Sequence, residues 1–540
     1  MISFTTRLNC KGASKIWRQH KDSIWLSLIV ILGFLVRVIG LKFGYPFLTH
    51  PDESYIIESA VDMTINRTFD PGMANRPDLF LINFNLVFLN IVSYIKFGDL
   101  LNVTYSNVPT FFHHASRVVI AFIGSLLPIV AWKIGKEGRV DFSFPAAIFF
   151  AFFPAYVTHS HYITPDVTIT LFSMAIILFS IKYAKSGQGK FLYIATFLSV
   201  LNTSEKYPGI ISFALIATAI LYRIFQQPAQ SILESIKKAI PQILKFGLLF
   251  LITLYIIAPT LFIFYDRTIT ALMVEARTTH FGQVNLGWAG NLAFYVRAFF
   301  VDSGWVIAVL IIPGAILAVK RQELVVIFSS YGFLYWLLLS ILPLHWERWA
   351  LPMYIAPLIL VAYGIAAAPT LFPHTPKIGN LISLFFVTAI GLQLFITSFS
   401  NSITMTYQDT RYSALIYCQN NGITPENSIY EGYTPFSPTY RVNYNIHDIY
   451  QSGFRADYII LSSNVYTRYT DEPERYTQQI ENYKSIRAEN ELVAKYSAFT
   501  SDKKNFASKF DTIFYYLRRN IGSDSQVRLS GPTIEIYDWE

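Results

Sequence analysis

Three short polar clusters interrupt a chain that is otherwise strongly apolar, and each holds residue types able to move a proton or grip a phosphate. The first is His50-Pro51-Asp52-Glu53. Proline presets the backbone for a first helical turn, and the helix dipole favours the two carboxylates that follow it there. An ordinary acidic helix start explains the same four residues equally well. In the second cluster, His159-Ser160-His161-Tyr162-Ile163-Thr164-Pro165-Asp166, Asp166 follows Pro165 just as Asp52 follows Pro51. Two carboxylates facing one pocket can divide labour, one as a general base and the other holding a cation or stabilising positive charge. His159, His161 and Asp166 also form a candidate set for a divalent metal, against the simpler reading of unliganded interfacial histidines.

The third cluster is His345-Trp346-Glu347-Arg348-Trp349. A guanidinium at a membrane interface suits a two-pronged grip on phosphate, although an arginine snorkelling beside interfacial tryptophans gives the same pattern. Glu205-Lys206 fall between two short apolar segments. A lysine there is costly unless paired or used, so Lys206 is a candidate for a lipid phosphate, with an ion pair to Glu205 as the plain alternative. Arg37, near the outer end of the first apolar run, is a further phosphate candidate beside a snorkelling role.

These clusters need a membrane scaffold to hold them. Of the 540 residues 53% are hydrophobic and 14% charged, against roughly 25% charged in soluble domains, which excludes a soluble or disordered chain. Residues 401–540 hold 14 Lys and Arg and 17 Asp and Glu, so the net charge of +8 belongs to the first 400 residues. A nucleic-acid partner is not needed to explain it. Cys10 and Cys418 are too few and too separated for a disulfide framework. The basic leader before Ser23 has no small-residue cleavage site after its apolar run, so it reads as an uncleaved first span.

Apolar segments fall near 24–42, 79–98, 115–133, 142–158, 167–184, 191–204, 207–225, 243–264, 302–320, 323–342, 350–368 and 380–399. Lysine and arginine in short loops mark the cytoplasmic side. The basic loops around Lys136, Lys185, Lys237 and Lys320 can all be cytoplasmic only if 79–98 does not cross, and its Asn83, Asn85 and Asn90 suit a helix lying at the surface. The expected architecture is an all-α polytopic membrane protein of about 11 transmembrane helices plus juxtamembrane helices, with a small C-terminal α/β soluble domain. The division falls at 1–400 and 401–540, where short β-like runs such as Ser428–Tyr430, Tyr458–Ser462 and Thr533–Tyr537 replace the long apolar stretches. The N-terminus is then cytoplasmic, and the polar clusters and C-terminal domain lie outside a plasma (inner) membrane.

The order of outer His-Pro-Asp-Glu, later Thr-Pro-Asp, Ser-Glu-Lys-Tyr between spans, and His-Trp-Glu-Arg-Trp-Ala-Leu-Pro resembles the polytopic glycosyltransferases of the GT-C superfamily. The likeness is to the group of protein O-mannosyltransferases and the lipid A aminoarabinose transferase. In the tail, Asp409-Thr410-Arg411, Glu431-Gly432-Tyr433-Thr434-Pro435 and Asp457–Ser463 are similar to prokaryotic members with an outer α/β domain. The resemblance implies transfer of a sugar from a polyprenyl-phosphate carrier to a glycolipid, polysaccharide or protein acceptor at the outer face, with inversion at the anomeric carbon. It makes Asp52 the general base with Glu53 in support, and Asp166 an ordering or metal-binding residue. Lys206 and Arg348 would hold the departing phosphate, with Arg37 in reach, and His280 and His345 fall on the acceptor side. No cofactor is required beyond a divalent metal that the second cluster could hold.

Chemistry agrees with this assignment. A phosphate leaving group is already charged and needs cations in place of a proton donor, whereas an acceptor hydroxyl is a poor nucleophile and needs a base. The rival readings are a lipid-linked glycan ligase or polymerase and a flippase or transporter. Transporters place ionisable groups near the bilayer midplane on broken helices, often in two related halves, and neither feature is evident here.

Overall fold

The computed structural model describes residues 10–72, 78–228, 231–278, 280–439, 456–498 and 529–539, with side chains from Lys21 onward. Each of the twelve apolar segments is helical in it, and the protein is a multi-pass, predominantly helical membrane protein. Among the described residues seven helices are long and apolar enough to cross a bilayer, or eight if the bent pair Gly287–Ser303 and Trp305–Lys320 is one span. Shorter apolar helices, Ser143–Phe152 and the run Leu324–Leu339, lie among them. The largest core joins most of the helices, centred on residues such as Phe150, Phe153, Tyr156, Ile359 and Tyr363, and a smaller one joins Pro51–Asn66 and Leu79–Phe97 to Pro109–Ser125.

Several boundaries differ from those the hydropathy pattern gives, for identifiable reasons. The helix expected from 243 starts eleven residues earlier, at Ile232, because the Ser231 side chain caps it by accepting from the Glu234 N–H. Its added first turns are polar, which hides them from an apolar window. The stretch 265–300, expected to be an outer loop, contains the helices Tyr265–Glu275 and Gly287–Ser303. Gly304 then turns the chain through 110° into Trp305–Lys320, and its φ of +77° is one that a residue with a Cβ seldom adopts.

The helix Leu79–Phe97 is long and apolar enough to cross, and each of its ends is tied to a segment next to a polar cluster. At its start, Asp78 N–H donates to the Glu205 carbonyl and Leu81 N–H to the Glu205 carboxylate. At its end, Lys96 and Phe97 lie against Phe111, whose neighbour Thr110 accepts a hydrogen bond from Tyr45. Glu205 precedes Lys206 and Tyr45 lies five residues before His50, so the polar clusters flank both ends of a helix about 28 Å long.

Beyond the last long helix, Pro376–Thr404, the chain forms two sheets. The strand β1 (Gln408–Asp409) pairs in parallel with β5 (Leu529–Ser530). The larger sheet has the order β2 (Ser428–Tyr430), β3 (Tyr458–Ser462), β6 (Ile534–Asp538), β4 (Glu491–Tyr496). Here β2 and β3 are parallel, and β6 runs antiparallel to both of its neighbours. The two faces of β3 are buried separately, Ile459 and Leu461 with Tyr483 and Ile486, and Ile460 with Ala414 and Cys418. Helices on both faces of a short mixed sheet make this an α/β unit.

Candidate functional site

Asp52 and Glu53 both occupy the first turn of the helix Pro51–Asn66, but they point to different places. Successive residues on a helix are about 100° apart, so neighbours in sequence face different surroundings. Glu53 is fully buried and bound by Arg117 through both oxygens, at 2.9 Å and 2.6 Å. It also accepts from the Ile163 N–H, while Arg117 donates to the Leu41 and Phe43 carbonyls and lies over the Phe43 ring. Burial pushes the Glu53 carboxyl up, but the Arg117 charge and hydrogen bonds outweigh it and hold the group below its ordinary range. Glu53, expected in support of Asp52, lines neither of the cavities described below and ties the Asp52 turn to the segments at 41–43 and 163.

Asp52 faces open space and forms an ion pair with Arg348. Arg348 stands on the short 3-10 helix Glu347–Tyr354, between Trp346 and Trp349 whose rings are 4.4 Å apart. Asp166 begins the helix Asp166–Ser186 and is paired at 2.6 Å with Lys206, the extended residue that ends Lys190–Glu205. Lys206 lies 5.3 Å from the centre of the Trp349 ring. Two carboxylate–cation pairs thus stand side by side, brought from four segments between residues 52 and 348.

Two cavities meet at the Asp52–Arg348 pair. The smaller, about 340 Å³, contains Asp166, Lys206, Tyr207, Arg277 and Trp349 as well as the pair. The larger, about 1010 Å³, opens between the helical part and the α/β unit, and reaches His159, His280 and His345 on one side and Tyr433 and Arg468 on the other. His280 borders both cavities and packs edge-on against Trp346, with ring centres 5.3 Å apart. His345 packs at a tilt against Phe294, with ring centres 4.3 Å apart. Burial lowers the basicity of both imidazoles, which leaves them neutral and able to donate or accept a hydrogen bond near neutral pH.

Two expected residues are elsewhere. Arg37 is fully buried among the helices, where it donates to Ser160 Oγ, Gly33 O and Ala151 O, and it borders neither cavity. Its place is made by Gly124, where a Cβ would come within 2.1 Å of Ser160 Oγ and 2.9 Å of Arg37 Nε. Its phosphate-binding assignment is therefore corrected to a bundle contact. His161 is likewise turned inward, its ring nitrogens facing Val157 O at 2.9 Å and Ile39 O at 2.8 Å, so neither is open to a metal. With His161 turned away and Asp166 held by Lys206, the proposed metal set does not assemble. No group of three His, Cys, Asp or Glu side chains suited to a metal occurs among the described residues.

Arg277, Arg468 and Tyr433 were not singled out by sequence. Arg277 falls between the apolar segments 243–264 and 302–320, and Arg468 lies on the helix Ser463–Thr470. Only the Glu431-Gly432-Tyr433 run carried any signal.

Residues 111–263 match the family model for dolichyl-phosphate-mannose-protein mannosyltransferases. No curated protein sequence matches the chain. Among solved structures, ArnT from Cupriavidus metallidurans bound to undecaprenyl phosphate aligns with a TM-score of 0.44 and 12% identity, covering 83% of this chain and 95% of that one. The same protein in the apo state gives 0.46 and 12%, over 84% and 95%. The Archaeoglobus fulgidus oligosaccharyltransferase in complex with zinc and sulfate gives 0.50 and 10%, over 95% of this chain and 88% of that one. The family match covers less than a third of the chain, and the likeness to the archaeal protein is one of fold.

Proposed function

We propose that the protein transfers a sugar from a polyprenyl-phosphate carrier to an acceptor hydroxyl at the extracytoplasmic face of the membrane. The observation that carries this reading is the position of Asp52, on the wall shared by a small cavity holding Lys206 and Arg348 and a large one. The family description names a lipid-phosphate sugar donor, and ArnT has been seen with undecaprenyl phosphate. In this chain the donor phosphate would sit between Lys206 and Arg348, with its lipid in the bilayer and its sugar pointing toward Asp52.

Asp52 takes the proton of the acceptor hydroxyl as that oxygen forms its bond to the anomeric carbon. The bond from that carbon to the phosphate oxygen breaks with its electron pair, releasing the lipid phosphate. Attack opposite the leaving group inverts the centre. Lys206 and Arg348 stabilise the charge that grows on phosphate, and a water-poor setting makes each contact worth more than it would be in solution. Phosphate arriving at Arg348 competes with Asp52 for the guanidinium, which frees the carboxylate oxygen to take the hydroxyl proton. Asp166 keeps Lys206 in place. The acceptor, whether glycolipid, polysaccharide or protein, enters through the larger cavity past His280 and His345.

The test is transfer from a panel of labelled polyprenyl-phosphate sugars by membranes containing wild type or Asp52→Asn. One donor should support transfer, and the variant should lower turnover by roughly 10²–10⁴-fold with donor binding retained. Full turnover in Asp52→Asn would remove the base assignment. Transfer of a preassembled multi-sugar block would favour the glycan-ligase reading.

A further inference from the structure

Asp409 and Arg411 border neither of these two cavities but a third, of about 330 Å³, which forms where the sheet of β1 and β5 meets the segment 43–50. It shares Thr49, His50 and Asn464 with the larger cavity and no residue with the smaller one. The larger cavity therefore adjoins both of the others, the smaller at Asp52 and the third two residues before it. An acceptor whose hydroxyl lies at Asp52 has the third cavity as a continuation of its path, away from the donor phosphate.

The wall of this cavity is fixed and carries no net charge. Asp409 Oδ1 accepts from the Arg411 backbone N–H at 2.9 Å and from its Nε–H at 2.7 Å, and Oδ2 accepts from Nη2 at 2.6 Å. Arg411 also donates to Pro438 O at 3.1 Å. Gly531 lies against the pair with a φ of +103°, and a Cβ there would come within 3.2 Å of both carboxylate oxygens. Asp409 and Arg411 are the only charged side chains on the wall among the described residues, and they neutralise each other. An ionised ligand would lose its water there without gaining a counter-charge, so the wall suits a neutral one. Asn464, on the helix Ser463–Thr470, is exposed at the junction with the larger cavity and hydrogen-bonds to none of the described residues. Its carboxamide offers both a donor and an acceptor. Tyr407, and Phe43 and Tyr162 packed edge-on at 5.1 Å, add ring surface. A sugar, with hydroxyls around its rim and C–H groups on its faces, matches that combination. The volume is near the lower end for small-molecule sites and fits one ring.

We propose that the third cavity is a subsite for a neutral sugar unit of the acceptor, held by Asn464, while a unit nearer the end of the same chain presents its hydroxyl to Asp52. The proposal rests on the transferase reading and narrows its acceptor to a glycan or glycolipid of two or more sugar units. A single sugar or a protein hydroxyl would leave the cavity unused.

Binding of the full-length protein in detergent to an array of immobilised neutral saccharides of one to four rings tests this, with undecaprenyl phosphate added first to fill the inner site. At least one saccharide of two or more rings should bind about tenfold or more tightly than the best single ring. Asn464→Leu should weaken binding of that longer saccharide about tenfold, the worth of one or two neutral hydrogen bonds, and Asn464→Gln should recover part of the loss. Ala498→Trp, which fills the third cavity from its wall, should abolish the preference for length. Absence of saccharide binding, a single ring bound as well as any longer chain, or a preference that survives either Asn464→Leu or Ala498→Trp would overturn the subsite. If undecaprenyl phosphate fails to bind, the donor reading falls, but the preference for length and its dependence on Asn464 are still measured in the same samples.

Discussion

At the scale of single residues, the difference between Asp52 and Glu53 is one of direction. Both are carboxylates in the same turn, yet one borders both cavities and the other is locked to Arg117. Sequence reads them as a pair because it shows adjacency and not the 100° between them. Asp52, Asp166, Lys206 and Arg348 were legible because each charge interrupts an apolar pattern beside a proline or tryptophan. Arg277 and Arg468 were not, since a cation in a polar stretch looks like any solvated surface residue until distant segments are brought to it. Removing one partner of the fully buried Glu53–Arg117 pair leaves the other charge uncompensated, so Glu53→Ala and Arg117→Ala should each cost about 3–5 kcal/mol. Replacing both, as Glu53→Gln with Arg117→Met, should cost less than either alone, as thermal unfolding in detergent would show. Additive losses would contradict the clamp.

At the scale of elements, the α/β unit shows both the reach of pattern reading and its limit. The runs 428–430 and 458–462 are strands with the expected bounds, and the third is shifted by one residue to Ile534–Asp538. Missing was β4, Glu491–Tyr496, an edge strand whose mostly exposed alternation carries little apolar signal. Glu431, just after β2, accepts from Ser462 N–H at 2.7 Å and from the Tyr483 hydroxyl in the interior of the unit. Burial pushes its carboxyl up to about 8. In the unfolded chain the group titrates near an ordinary glutamate, so the folded form holds the extra proton between those two values. The stability this confers is full below the unfolded value and is lost as pH rises through about 8. Hydrogen exchange in β2 and β3 should accelerate between pH 5 and pH 8 beyond the intrinsic chemical rate, and Glu431→Gln should remove most of the excess. An unchanged excess in the variant would assign the pH response to another group.

For the whole molecule, threading depends on Leu79–Phe97. Its hydropathy alone would let it cross, and the loop-charge pattern argues that it does not. In the threading expected from the loop charges, Glu205 and Phe111, which hold its two ends, lie on the same side. In a background freed of the native cysteines, Phe69→Cys and Leu100→Cys should therefore react with an impermeant maleimide from the same side. Lys190→Cys should react only from the other. Labelling of residue 69 together with residue 190, with residue 100 on the other side, would mean that the helix crosses and that every later span is inverted.

The sheet order bears on the sequence in which the molecule is made. The strand β6 lies between β3 and β4, yet it is the last of the four to leave the ribosome. When the helices and the residues of the inner cavity have already been synthesised, the support behind Tyr433 and Arg468 still lacks its middle strand. During biogenesis the smaller cavity can thus take shape first, and the opposite wall of the larger one closes only when residues 534–538 have been threaded into place.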